Sequence, residues 1–141
     1  MPVGDALSHA VQAGLAPDIV ARLLIAGLCL PFLISGVVKS LRFAGAVEEF
    51  SSLGFPRPAL FAALTIALHL CASLSVIVLA GWPAALGALA LAAFTLVASL
   101  MAHAFWKKRG VARFQQTNIF VEHVALTCGL LFVAYWHLHR V

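Results

Sequence analysis

Five ionisable side chains, Lys39, His69, His103, Glu122 and His123, stand in stretches otherwise built from Leu, Ala, Val and Phe. An imidazole near neutrality can take or give a proton, and a neighbouring lysine or carboxylate adds a charge that can hold a polar group. In hydrocarbon such side chains are costly. They face a bundle interior or a wet cavity and mark functional positions by default. Polar groups recur around them at four-residue spacing, which places each set on one helical face. Gly27, Pro31, Ser35 and Lys39 form one stripe, and Thr65, His69 and Ser73 a second. Thr95, Ser99, His103 and Lys107 form a third, and His123 with Thr127 a fourth, beside Gln115, Asn118 and Glu122. Stripes on four successive apolar stretches predict convergence on a common interior. The hydroxyls taken alone have a plainer role, since small hydroxyl residues let membrane helices approach closely and can bond a backbone carbonyl. Pro31 removes a backbone donor and is expected to kink its helix.

The elements that carry these groups follow from composition. Of 141 residues, 63% are hydrophobic and 10% charged, against about 45–50% and about 25% in soluble domains. The bilayer is the solvent that suits such a chain. Crossing its hydrocarbon layer takes about 20 helical residues, and four stretches qualify, at about 18–38, 58–80, 83–106 and 118–138. Asp18 after Pro17 reads as an N-cap. Gly81-Trp82-Pro83 leaves so little room that the second and third spans must form an antiparallel hairpin. The expected architecture is an all-α integral membrane four-helix bundle, residues 18–141, preceded by a flanking segment, residues 1–17. That segment has no basic start and no unbroken apolar core, so it does not read as a cleavable signal peptide. Lys39, Arg42, Arg57, Lys107, Lys108, Arg109 and Arg113 fall in or beside the first and third connections, and Arg22 and Arg140 fall on the opposite side. The positive-inside rule makes the seven-residue side cytoplasmic and puts both termini outside. In the first connection Phe43, Ala46, Val47 and Phe50 recur at helical spacing while Glu48, Glu49 and Ser52 lie off the stripe. This predicts a short helix in the interface, ended by Gly54, Pro56 and Pro58.

Depth separates the histidines. At 1.5 Å per residue His69 lies roughly 16 Å from the cytoplasmic end of its span, His103 about 5 Å and His123 about 7 Å. One metal ion held by all three is excluded by that mismatch. Lys39, His103, Glu122 and His123 are expected to form a shallow polar cluster, either an ion-paired boundary or a site for the polar head of a small amphipathic ligand, with His69 alone and deeper. Cys29, Cys71 and Cys128 are odd in number, form no CxxC pair and sit near mid-depth, where a thiol serves as small apolar filler. Tyr135, Trp136 and Trp82 read as interface anchors, with His137, His139 and Arg140 beside the first two.

Four strings, "ISGVVKSLRF" (34–43), "SLGFPRPAL" (52–60), "AHAFW" (102–106) and "NIFVEHVALTCGLL" (118–131), resemble the DoxX family. The first matches its Ser-Gly then Lys, the second its Gly-x-Pro-x-Pro, the third its His-x-Phe-Trp, and the last its polar pair before an apolar run. The resemblance implies a four-helix protein of the bacterial inner membrane, associated with quinone-linked redox complexes. It carries Ser35, Gly36, Lys39, His103, Trp106, Asn118 and Glu122-His123 over as polar site positions. His69 stands where many members have an acidic residue, and Glu122-His123 where many have Lys-Asn, so the charge of the site differs from theirs.

The reading is a multi-pass protein of the cell inner membrane that acts as an accessory or small-molecule-binding subunit of membrane redox chemistry. Ser35, Lys39, His69, His103, Trp106, Asn118, Glu122 and His123 are the candidate ligand-binding residues, a quinone or phenol is the candidate ligand, and no metal is expected. The lipid bilayer, other membrane or redox subunits and a second copy of the chain are the candidate partners; nucleic acid is not. A small-solute transporter and a structural scaffold are the alternatives. No Gly-rich nucleotide loop, haem-attachment motif or nucleophile elbow identifies a catalytic group.

Overall fold

The computed structural model describes residues 17–139 as helices joined by short turns, with no strand among them. Helix α1 is Pro17–Leu41, α2 is Phe43–Ser52, α3 is Pro58–Val78, α4 is Gly81–Ala102 and α5 is Gly110–His139. Residues 1–16 of the flanking segment read as 1–17, and Arg140, lie outside the described residues. Helices α1, α3, α4 and α5 are each long and apolar enough to cross a membrane. Large side chains that a soluble protein would bury, such as Leu23, Leu24, Leu64, Leu86 and Phe132, are instead exposed around the outside. The bundle has a hairpin end, where α3 turns into α4, and a loop end, where α2 joins α1 to α3 and a short connection joins α4 to α5.

The core sits toward the hairpin end, and α4 is its centre. Ala84, Ala85, Gly87, Ala88, Leu91 and Ala92 are all buried on one side of it. They meet Ile25 and Cys29 of α1, Ala72 and Val76 of α3, and Leu130, Val133 and Ala134 of α5. In a lipid-solvated bundle small residues are what allow helices to come close, and Gly87 marks the closest approach. A Cβ there would lie 2.3 Å from Ser75 Oγ and 2.9 Å from the carbonyl oxygen of Ala72. At the same end Arg22 of α1 donates from Nη1 to the Ile77 carbonyl at 3.0 Å, satisfying one of the acceptors that the last turn of α3 leaves open.

Several boundaries differ from the hydropathy reading. Asp18 lies within the described part of α1 rather than before it. Helix α1 also runs without interruption through Pro31. The third span reaches Lys107, close to the expected 106, but its α-helix ends at Ala102. His103 takes φ −112° and ψ 52°, and Phe105–Lys107 form a 3₁₀ turn. Beyond that break Phe105 packs its ring on Phe120 of α5, with centroids 5.3 Å apart. The fourth helix begins at Gly110, which has φ +58°, eight residues before 118. Nothing between Gly110 and Asn118 breaks a helix; hydropathy locates a membrane crossing, whereas the backbone ends only at a breaker.

Gly87→Ala should separate α3 from α4 and destabilise the bundle by about 1–3 kcal/mol. Unfolding in mixed micelles checks this, with Gly27→Ala, where a Cβ meets nothing within 4 Å, as the neutral control.

Candidate functional site

The loop end holds a cavity of about 540 Å³ between α1, α2, α3 and α4, with His123 of α5 at one side. Three local devices build it. The first is a π-helical turn at Leu68–Ala72 in α3, a feature that often accompanies functional sites. His69 lies in this turn, only 5% exposed, and meets Phe32 at 5.4 Å and Phe94 at 4.8 Å between ring centroids, both edge-on. Gly36 lets α1 close on it, since a Cβ there would lie 3.3 Å from His69 Cβ and 2.7 Å from a Leu70 methyl carbon. Both His69 ring nitrogens are buried without a hydrogen-bond partner. Most buried polar atoms are paired, which sets this imidazole apart from the other histidines of the cavity.

The second device is the end of α2. Gly54, at φ +81°, lets its own N–H donate to the Ser51 carbonyl (3.0 Å) and the Phe55 N–H donate to the Phe50 carbonyl (3.1 Å). This pair of bonds is a Schellman motif, which brings the residue after the glycine onto the helix it closes. Phe55 accordingly stacks edge-on against Phe50 at 5.3 Å, and Phe61 of α3 joins them at 4.5 Å from Phe55. The resulting aromatic wall lines the cavity. Lys39 and Glu49 form an ion pair across the turn between α1 and α2, and both line the cavity beside Ser35.

The third device is the break after α4. His103, freed from the helix, has Nδ1 2.8 Å from Gln116 Oε1 of α5. Its ring lies 5.1 Å from that of His123, whose Nδ1 is 2.7 Å from the Ile119 carbonyl oxygen. Both histidines line the cavity. Their level is set by α4: Phe94 touches His69, and the helix runs eight residues further to Ala102, about 12 Å along its axis. Among the described residues no three His, Cys, Asp or Glu side chains gather closely enough to hold a metal ion.

Of the eight candidate residues, Ser35, Lys39, His69, His103 and His123 line the cavity, and Trp106, Asn118 and Glu122 do not. Gln115, Asn118 and Glu122 are exposed along the outside of α5, because the helical phase that turns His123 inward turns its neighbour away. Trp106 is 51% exposed; Phe105 makes the contact with α5 instead. Gly27 and Pro31 are likewise exposed, so the α1 stripe faces inward only from Ser35. Among the hydroxyls, Thr95 and Thr127 bond their own helix at the Leu91 and His123 carbonyls, while Ser73 and Ser99 are buried with Oγ unpartnered. The cysteines are unbridged, Cys29 buried and Cys71 and Cys128 exposed. Phe32, Phe94, Gln116 and Glu49 were not legible as site residues. Glu49 is ten positions from Lys39, a spacing that no single helix makes meaningful.

A family model described as DoxX matches residues 11–104. The chain belongs to the DoxX family. No curated relative and no solved structure matches it. The protein is thus a multi-pass integral membrane protein of DoxX type. Within the matched range lie Ser35, Lys39, His69 and His103; Asn118, Glu122 and His123 lie beyond it.

His69→Phe keeps the ring and both edge contacts and removes two unsatisfied nitrogens. Its expected effect is unchanged or increased stability of the ligand-free protein, by about 1 kcal/mol. A lowered unfolding midpoint would instead assign His69 to the fold.

Proposed function

We propose that this DoxX-family protein is an accessory subunit of membrane redox chemistry that binds a small amphipathic molecule, a quinone or phenol, in the loop-end cavity. The observation that carries this reading is His69, buried at the cavity floor with neither ring nitrogen satisfied. Aromatic and aliphatic walls suit a flat apolar body, and the few polar groups that converge on it suit carbonyl or hydroxyl oxygens. Toward the hairpin end Cys29, Val76, Leu91 and Leu130 are at most 1% exposed. That packed layer lies beyond His69 and favours binding over passage of a solute.

In this reading the four-span unit, residues 18–141, lies in the cell inner membrane with the loop end cytoplasmic and both termini outside. The Lys and Arg residues of the two loop-end connections support that orientation. Helix α2 rests in the cytoplasmic interface, with Phe43 and the carboxylate of Glu48 exposed and Ala46 turned in. Redox enzymes of the same membrane, or a second copy of the chain, are the partners such a subunit requires.

A decyl-tailed benzoquinone titrated into protein-loaded nanodiscs should bind the wild type saturably. His69→Phe should weaken it about tenfold, the scale of one lost hydrogen bond at its upper limit, while Glu122→Gln and Asn118→Ala leave it unchanged. Equal binding by all three variants would remove the cavity from consideration. Orientation is checked separately in a cysteine-free background. A cysteine replacing Lys108 should react with an impermeant maleimide only from the cytoplasmic face.

A further inference from the structure

Resting on that reading of the cavity, we infer that its shallow end is a double hydrogen-bond acceptor, selective for a ligand that presents a hydroxyl over one that presents only ether or carbonyl oxygen. The inference comes from how His103 and His123 are held. The Ile119 carbonyl can only accept, so the His123 nitrogen 2.7 Å from it must carry the hydrogen. Gln116 presents Oε1 to His103 Nδ1 at 2.8 Å, and with the amide in this orientation Nδ1 donates. A neutral imidazole has one N–H. With both hydrogens committed to Nδ1, each ring keeps only the lone pair of Nε2 for the cavity it lines.

The charge of Lys39 is neutralised by Glu49, and the Trp106 indole is not part of the lining. Ser35 and Thr65 line the same cavity, and their hydroxyls can accept as well as donate, so neither reverses the preference. The two rings, 5.1 Å between centroids, therefore read a phenolic or hydroquinone O–H, and a quinone carbonyl at the same place would meet lone pairs. A site built to bond a hydroxyl rejects the analogue that lacks its hydrogen.

The test uses wild-type protein in nanodiscs with ¹⁵N-labelled histidine, probed with 4-heptylphenol and its methyl ether at equal mole fraction in the bilayer. Without any probe, the His103 and His123 spectra should show the Nδ1–H tautomer. An Nε2–H tautomer for either would overturn the inference while leaving the cavity reading intact. With probe, the phenol should shift both Nε2 signals and bind roughly tenfold tighter than the ether. Gln116→Leu should abolish the lock at His103 and reduce the discrimination, and Gln116→Glu, which keeps an acceptor, should preserve it. Equal binding of phenol and ether overturns the inference alone. Binding of neither overturns the cavity reading and this inference with it.

Discussion

Helices dissolved in hydrocarbon gain nothing by hiding apolar surface from one another, so they associate only where backbones can approach. In this protein that place is the Ala–Gly face of α4, and everything else is arranged around it. Gly87 brings α4 against the carbonyl of Ala72, and the buried alanines on either side extend the contact to α1 and α5. Toward the loop end the buried side of α4 continues through Thr95 and Ser99. Phe94, Val97 and Met101 occupy an adjoining face of the same helix and line the cavity. One helix thus serves the sealed core with one face and the open pocket with another.

The polar groups of the pocket are held with different completeness, and that difference carries the chemistry. His103 and His123 each have one nitrogen fixed by an acceptor on α5, which orients the ring and decides its hydrogen. His69 has neither fixed and is held by shape alone, between two aromatic edges and a glycine. Lys39 and Glu49 neutralise one another at the side. Thr95 and Thr127 are each tied to a carbonyl of their own helix, as His123 is; His69 is not.

The family, the four crossings and the hairpin were legible in the sequence because each depends on composition or on local breakers. So was the inward face of α3, where Thr65, His69 and Ser73 are all buried. The stripe on α5 that ran through Asn118 and Glu122 was misjudged. Four-residue spacing shows which residues share a face, but not which face turns inward; only packing against α4 decides that. The π-turn, the release of His103 from α4 and the pairing of Lys39 with Glu49 were also invisible. Each depends on contacts between segments distant in sequence, such as Phe105 on Phe120.

The π-turn at Leu68–Ala72 accommodates one residue more than an α-helical turn in the same length of α3. It therefore acts as a phase joint. On one side of it Val76 and its neighbours meet α4 and the hairpin; on the other Thr65 lines the cavity. His69 stands inside the joint itself, so the extra residue that resets the phase of α3 also sets the direction in which the imidazole faces.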